Sequence, residues 1–272
     1  MKIILVSFLL FFTLSVSAQS YADLVNSAMD YVEKKDYVAA ELAMKGALRK
    51  EPANPNNLML MVNLGTIQRH LGKLEEALIS YNVAVEAYPN TSFVRHNRAA
   101  LYCEMNRFED ALLDYCVILE SNSEDEEALY RRGLIYIDKK DIHNAEADFK
   151  KILSLFSESL YGKMGMATLA MRRQQWKEAE ELYTGLIEKY KEKADLYYNR
   201  AECYLQQTKL SETQSDIKKA IELGYTDYPV YILRGRLRLA QYDRLLARQD
   251  FMKAQEMGAD EAVVNDFLKL CK

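Results

Sequence analysis

The sequence predicts an all-α chain built as a linear stack of helical hairpins, and three observations carry that reading. Only ten glycines and four prolines are spread over 272 residues, too few turn formers for the many short strands of an all-β fold. Alanines recur every 34 residues, at Ala77, Ala111, Ala145 and Ala179, with Thr213 and Ala247 on the next two steps, and self-similarity at such a period marks a repeat architecture. Around each of them, apolar residues follow the three-and-four spacing of one helix face. At 49% hydrophobic and 28% charged the chain can bury a core, and its net charge of −4 gives no electrostatic footprint for nucleic acid.

At the N-terminus, Lys2 precedes an almost wholly apolar run from Ile3 to Val16, and Val16-Ser17-Ala18 puts small residues before Gln19. This reads as a secretory signal peptide over residues 1–18, cleaved after Ala18. The run makes roughly 21 Å of helix, short of the ~30 Å hydrocarbon core of a bilayer. No cysteine follows it to carry a lipid anchor, and no later segment is apolar enough to span a membrane. The expectation is an exported protein, periplasmic or secreted.

With the alanine numbered position 20, the repeats run 21–54, 58–91, 92–125, 126–159, 160–193, 194–227 and 228–261. The matching Ala40 lies 37 residues before Ala77, so three extra residues fall in the Pro52–Asn57 loop. Position 8 is Gly or Ala in all seven (Ala28, Gly65, Ala99, Gly133, Ala167, Ala201, Gly235), which suggests two backbones in close approach. Position 24 is large (Met44, Tyr81, Tyr115, Phe149, Tyr183, Ile217, Phe251) and position 17 is apolar or aromatic from Tyr37 to Leu210. Asp36, Gly72, Asn106 and Asp141, at positions 15 and 16, punctuate each unit into two helices. One hairpin cannot bury its own apolar face, so neighbours must stack into a solenoid, a single domain over 19–272. The small residue is missing after Glu261, where Lys269 stands, so 262–272 reads as a terminal capping helix.

With those residues in place, the pattern resembles the tetratricopeptide repeat family, and repeat two carries it best through Leu64-Gly65, Gly72, Ala77, Tyr81, Ala84 and Pro89. The resemblance covers Tyr21 to Glu261. It implies a right-handed superhelical solenoid of seven hairpins whose first helices line a concave groove through positions 2, 5, 6, 9, 12 and 13. Position 32 departs from the family's proline after repeat two, becoming Ser123, Ser157, Lys191, Tyr225 and Ala259, which predicts looser connections there.

Two constellations follow from the repeat register. Position 7 is Arg98, Arg132, Arg200 and Arg234 in repeats three, four, six and seven, and position 23 is Asp114, Asp148, Asp216 and Asp250 in the same four. A hairpin turning near position 15 brings 7 and 23 level, which predicts four ion pairs within their own repeats, structural because a buried charge needs a partner. The groove positions of repeats four to six supply Tyr130, Leu134, Ile137, Tyr161, Met164, Met171, Tyr198 and Leu205, interspersed with Arg131, Asp138, Arg172, Asn199 and Glu202. Such an apolar surface with polar anchors suits a peptide or protein segment. The same stripe also reads as packing between neighbouring helices, or as tyrosines that stack on a glycan or other small molecule.

The family's clamp for a terminal carboxylate is weak here: its best window offers Val62, Thr66, Asn97, Glu127 and Arg131, without either lysine. The three histidines stand outside any HExxH, and no GxSxG, phosphate-loop or EF-hand pattern occurs, so the chain reads as a non-enzyme with no cofactor and no bound metal. His70, Cys103 and Glu104 form the nearest metal-like group, without the tight ligand spacing of a real site. Glu124 to Glu127 is a carboxylate run at the start of a helix, where the dipole favours negative charge. Cys103, Cys116, Cys203 and Cys271 lie too far apart in the repeat register to pair, so they are expected as thiols. The function that emerges is a protein-binding scaffold, by family resemblance serving assembly or regulation of a bacterial envelope complex.

Overall fold

A computed structural model describes residues 19–272; the signal-peptide assignment, residues 1–18, lies outside the described residues. Among the described residues there are fifteen α-helices and no strand, so the fold is all-α. They form seven successive pairs and a last helix: α1 (Tyr21–Glu33) with α2 (Tyr37–Lys50), α3 (Asn57–His70) with α4 (Leu74–Ala87), and α5 (Ser92–Glu104) with α6 (Phe108–Ser121). Then come α7 (Glu126–Asp138) with α8 (Ile142–Leu155), α9 (Leu160–Arg172) with α10 (Trp176–Lys189), and α11 (Ala194–Gln206) with α12 (Leu210–Glu222). The series ends with α13 (Tyr228–Ala240), α14 (Arg244–Glu256) and α15 (Glu261–Lys269). The chain divides into two compact units, one ending at Asp114 and one beginning at Tyr115, with the division inside α6.

Every second helix begins at position 17, and the reason is local. Position 15 holds a left-handed backbone in all seven hairpins, at Lys35, Gly72, Asn106, Lys140, Gln174, Thr208 and Tyr242, with φ between 57° and 71°. That conformation ends the first helix in the manner of an αL cap. One residue on, Asp36, Asp141 and Asp243 accept hydrogen bonds from the amides of Ala39 (3.1 Å), Asn144 (3.2 Å) and Leu246 (3.0 Å), which starts the second. The connections 88–91, 122–125, 156–159, 190–193 and 257–260 each have four residues with or without a proline, while 223–227, where Tyr225 stands at position 32, has five. Among these joints a missing proline goes with a longer connection only after repeat six.

The core of the first unit gathers Ala28, Ala40, Met44, Ala47, Leu60, Leu64 and Ile67 from α1 to α3. In the second unit, one cluster holds Ala167, Ala179, Tyr183, Leu186 and Leu196, another Ala201, Ile217, Val230 and Leu233, and a last one joins Phe251 and Val264 of α14 and α15. Position 8 corrects the reading of two approaching backbones. A Cβ on Gly65, Gly133 or Gly235 would lie 2.7, 2.5 and 2.5 Å from the ring of Tyr81, Phe149 or Phe251, so the small residue makes room for the position 24 side chain of its own hairpin. Phe149 goes further, since a Cβ on Gly165 of α9 would meet the same ring at 2.3 Å. The ring is wedged between the first helices of two successive repeats.

Candidate functional site

The Arg and Asp of positions 7 and 23 meet in each of the four repeats that carry them. Arg98 Nε and Nη2 lie 2.8 and 2.7 Å from Asp114, Arg132 2.9 and 2.7 Å from Asp148, Arg200 2.7 and 2.9 Å from Asp216, and Arg234 3.1 and 2.7 Å from Asp250. These are bidentate forks, the strong form of the interaction. The remaining nitrogen reaches back into the preceding repeat: Nη1 of Arg98 donates to Asn82 (3.0 Å), of Arg200 to Thr184 (3.1 Å) and of Arg132 to the Cys116 thiol (3.5 Å). One guanidinium thus closes its own hairpin and pins it to the previous one. All four aspartates are buried. The hydrogen bonds of Asp114, Asp148 and Asp250 raise the pKa of Arg98, Arg132 and Arg234 above the ordinary arginine value.

Two further arginines share these carboxylates: Arg95 reaches Asp114 at 2.5 Å and Arg238 reaches Asp250 at 2.7 Å. The position 11 rings cover the same cations, with Arg98 5.6 Å from the ring centre of Tyr102, Arg132 5.9 Å from Tyr136 and Arg200 5.5 Å from Tyr204. Within the hairpins these groups bind each other, and the sites have the character of joints.

On the groove-facing positions of α7, α9 and α11, much of the apolar surface is occupied by its own neighbours. Tyr130 is buried, stacks on Tyr161 with ring centres 4.9 Å apart, and tilts against Phe149 at 6.1 Å. Tyr198 stacks on Tyr225 at 4.6 Å, and burial pushes the hydroxyl pKa of both Tyr130 and Tyr198 upward. Met164 and Met171 pack against the Tyr183 cluster, Leu205 against the Ile217 cluster, and Ile137 is buried while Leu134 is half-buried. The polar residues pair along the stack: Arg172 with Asp138 at 3.3 Å, and Glu202 with Arg236 through two bonds of 2.7 and 2.9 Å. Arg131 holds Glu127 at 3.4 Å, and Asn199 is half-buried. Ring faces spent on one another leave little for a sugar to stack on.

The first unit is different. At the start of α3 and α5, Pro55, Asn56, Leu58, Met59, Val62, Tyr88, Thr91, Phe93 and Val94 line a hollow of about 320 Å³. None of these side chains carries a charge, and Met59, Tyr88 and Phe93 are 55%, 53% and 54% exposed. Nearby, Thr66 bonds Val62 O at 3.1 Å and the Tyr81 hydroxyl of α4 at 3.0 Å, and Asn97 bonds Phe93 O at 2.8 Å, so both already have partners. His70 stacks flat on Tyr37 at 4.4 Å and Arg69 donates to Glu104 at 3.3 Å. Among the described residues no three His, Cys, Asp or Glu side chains gather as a metal site. All four cysteines are thiols, and burial pushes Cys203 up to about 12. No described helix is long and apolar enough to cross a membrane.

Family models described as tetratricopeptide repeat match residues 25–91, 126–158 and 164–222. Among solved structures, a tetratricopeptide repeat protein from Parabacteroides merdae ATCC 43184 is 42% identical over 93% of this chain and 99% of its own, with a TM-score of 0.80. This chain belongs to the tetratricopeptide repeat family. A chain of the APC/C hetero-tetramer Cut9-Hcn1 matches at 13% identity and a TM-score of 0.70, covering 93% of this chain and 52% of that one. Pseudomonas aeruginosa pilF matches at 14% identity and a TM-score of 0.57, over 78% of this chain and 96% of its own. At these identities the likeness is one of fold. No curated protein matches the chain.

As a tetratricopeptide repeat protein the chain is a protein–protein interaction scaffold of the general kind, and the hollow of the first unit is the feature that sequence reasoning passed over. Its signal was present. Met59 and Phe93 both occupy position 2 and Val62 position 5, among the positions that face the groove in the family. Repeats four to six carry more aromatic residues at the same positions, and only packing shows that those rings are already engaged.

Proposed function

We propose that this chain is a non-enzymatic adaptor that holds a peptide or protein segment against the groove-facing side of its first helices. The observation that carries the reading is the uncharged hollow around Met59, Val62 and Phe93, where Met59, Tyr88 and Phe93 are more than half exposed, while Tyr130, Tyr161 and Tyr198 at the groove positions of the second unit are stacked on other rings. Pockets of this kind receive an aromatic or aliphatic anchor side chain, the usual centre of a binding hot spot. The face of α7, α9 and α11, with Arg131, Arg172, Asn199 and Glu202 at its polar positions, serves in this reading as a second and more polar contact surface. The apolar leader from Ile3 to Val16 supports export, and the role assigned in this reading is assembly or regulation of an envelope complex.

A photo-crosslinking residue at Phe93 or Tyr161 in the producing cell should trap one discrete protein. Changing Met59 and Phe93 together to Asp should abolish the adduct without shifting the thermal melt, because both side chains are more than half exposed. Crosslinking no stronger than from exposed Ser215 on α12 overturns the reading.

A further inference from the structure

The outer face of the second helices differs along the chain in a way the fold does not require. Position 22 is Leu42, Ile79 and Leu113 in the first three repeats, but Ala147, Glu181, Ser215 and Gln249 in the last four. Position 26 follows in part, with Val83 in repeat two against Lys151, Gly185, Lys219 and Lys253. The hairpin itself accepts small, polar or charged residues at these places. Yet in the first unit Val38, Leu42, Ile79, Val83 and Leu113 stand 41% to 66% exposed.

They sit on adjoining helices. Lys45 of α2 donates to Glu76 of α4 at 3.2 Å. The Arg98 guanidinium holds Asn82 of α4 and Asp114 of α6 at once, the residues beside Val83 and Leu113. The five side chains leave on the order of 500 Å² of aliphatic surface bare, toward the upper end of the ~300–600 Å² patch that a monomer carries.

We infer that this aliphatic strip is the interface of a homodimer, two copies of the chain packing outer face to outer face across α2, α4 and α6. The strip is balanced about α4, with Leu42 on one side and Leu113 on the other, as a two-fold contact needs. A two-fold axis running along α4 lays Ile79 and Val83 beside their own counterparts and sets α2 of one copy on α6 of the other in the same direction. Lys34 and Lys35, just before α2, then lie level with the start of α6, where Glu109 and Asp110 lie. The same rotation brings Glu75 beside its own counterpart at the start of α4. Polar gains and losses offset, and the aliphatic ridge carries the association. Two such faces bury roughly 1,000 Å² of apolar area, and with a polar rim they reach the ~1,200–2,000 Å² of a stable interface.

The test is sedimentation equilibrium on the purified chain and on the double variant Ile79→Glu, Leu113→Gln. Both new residues occur at position 22 elsewhere in this chain, as Glu181 and Gln249, so the hairpins tolerate them. The wild type should sediment at twice the chain mass and the variant at the chain mass, with equal helix content and melting temperature. A wild type that stays monomeric at hundreds of micromolar overturns the inference, as does a variant that folds and remains dimeric. A monomeric wild type that binds lipid vesicles or a different protein through the same residues also overturns it, by giving the strip to another occupant.

Discussion

Arg132 holds Asp148 with two nitrogens and the thiol of Cys116 with a third, so one side chain ties α7 to the helix after it and to the helix before it. Asp148 keeps a side-chain exposure of only 7%. Removing the cation strands a buried carboxylate, so Arg132→Ala should lower unfolding stability by about 3 kcal/mol in denaturant titration. Arg132→Met with Asp148→Leu should recover most of that loss, since apolar residues of similar volume replace a buried pair at little cost. A double variant as unstable as the single one would assign the arginine a role beyond charge balance. In the first unit, burial alone would raise the Glu41 carboxyl, yet hydrogen bonds from Lys45, Lys73 and Gln68 hold it at about 2, against an ordinary 4.5. A lowered carboxyl stabilises the fold fully above pH 4.5 and loses that contribution as pH falls toward 2. Glu41→Gln should therefore weaken the protein at neutral pH and match the wild type near pH 2, which melting curves across that range will show. The position 7 and 23 pairs were legible because they recur four times in step. Arg95 and Arg238 were not, because each occurs once, at positions 4 and 11, with no second instance to mark it.

At the scale of the helices, the backbone at position 15 sets where each hairpin turns. Thr208 holds φ 58° there, and a β-branched residue tolerates that conformation poorly. Gly72 occupies the same place in repeat two without the penalty. Thr208→Gly should raise stability by about 1 kcal/mol, read as a higher melting temperature. Gly133→Ala acts in the other direction. Its Cβ would sit 2.5 Å from a Phe149 ring already confined by Gly165, so overpacking of about 1–3 kcal/mol is the expected loss. Ala at position 8 is harmless where position 24 is Met44 or Ile217, so Gly133→Ala with Phe149→Met should restore the melt. The helix starts were readable from position 17 and from the Asp caps. What the alternation of Gly and Ala meant was not, since a recurring small residue accommodates a ring as readily as a backbone.

Over the whole chain, the repeat period made the fold class readable because stacking is a nearest-neighbour property, and each unit declares its own faces. The binding face was harder. An aromatic at a groove position looks the same in sequence whether its ring is open or stacked, and Tyr130 and Tyr198 are stacked while Phe93 is open. Nearest-neighbour construction also fixes how damage spreads. The last helix covers α14 through Phe267, stacked on Phe251 at 4.9 Å, and through buried Val264. Ending the chain at Asp260 uncovers these contacts, a loss of roughly 2–4 kcal/mol for two large apolar side chains. That loss should fall on the adjoining hairpin, and amide exchange should quicken in α13 and α14 while α9 and α10 keep their protection. Equal quickening in both places would mean that the second unit unfolds as one body and that its repeats do not hold their stability pairwise.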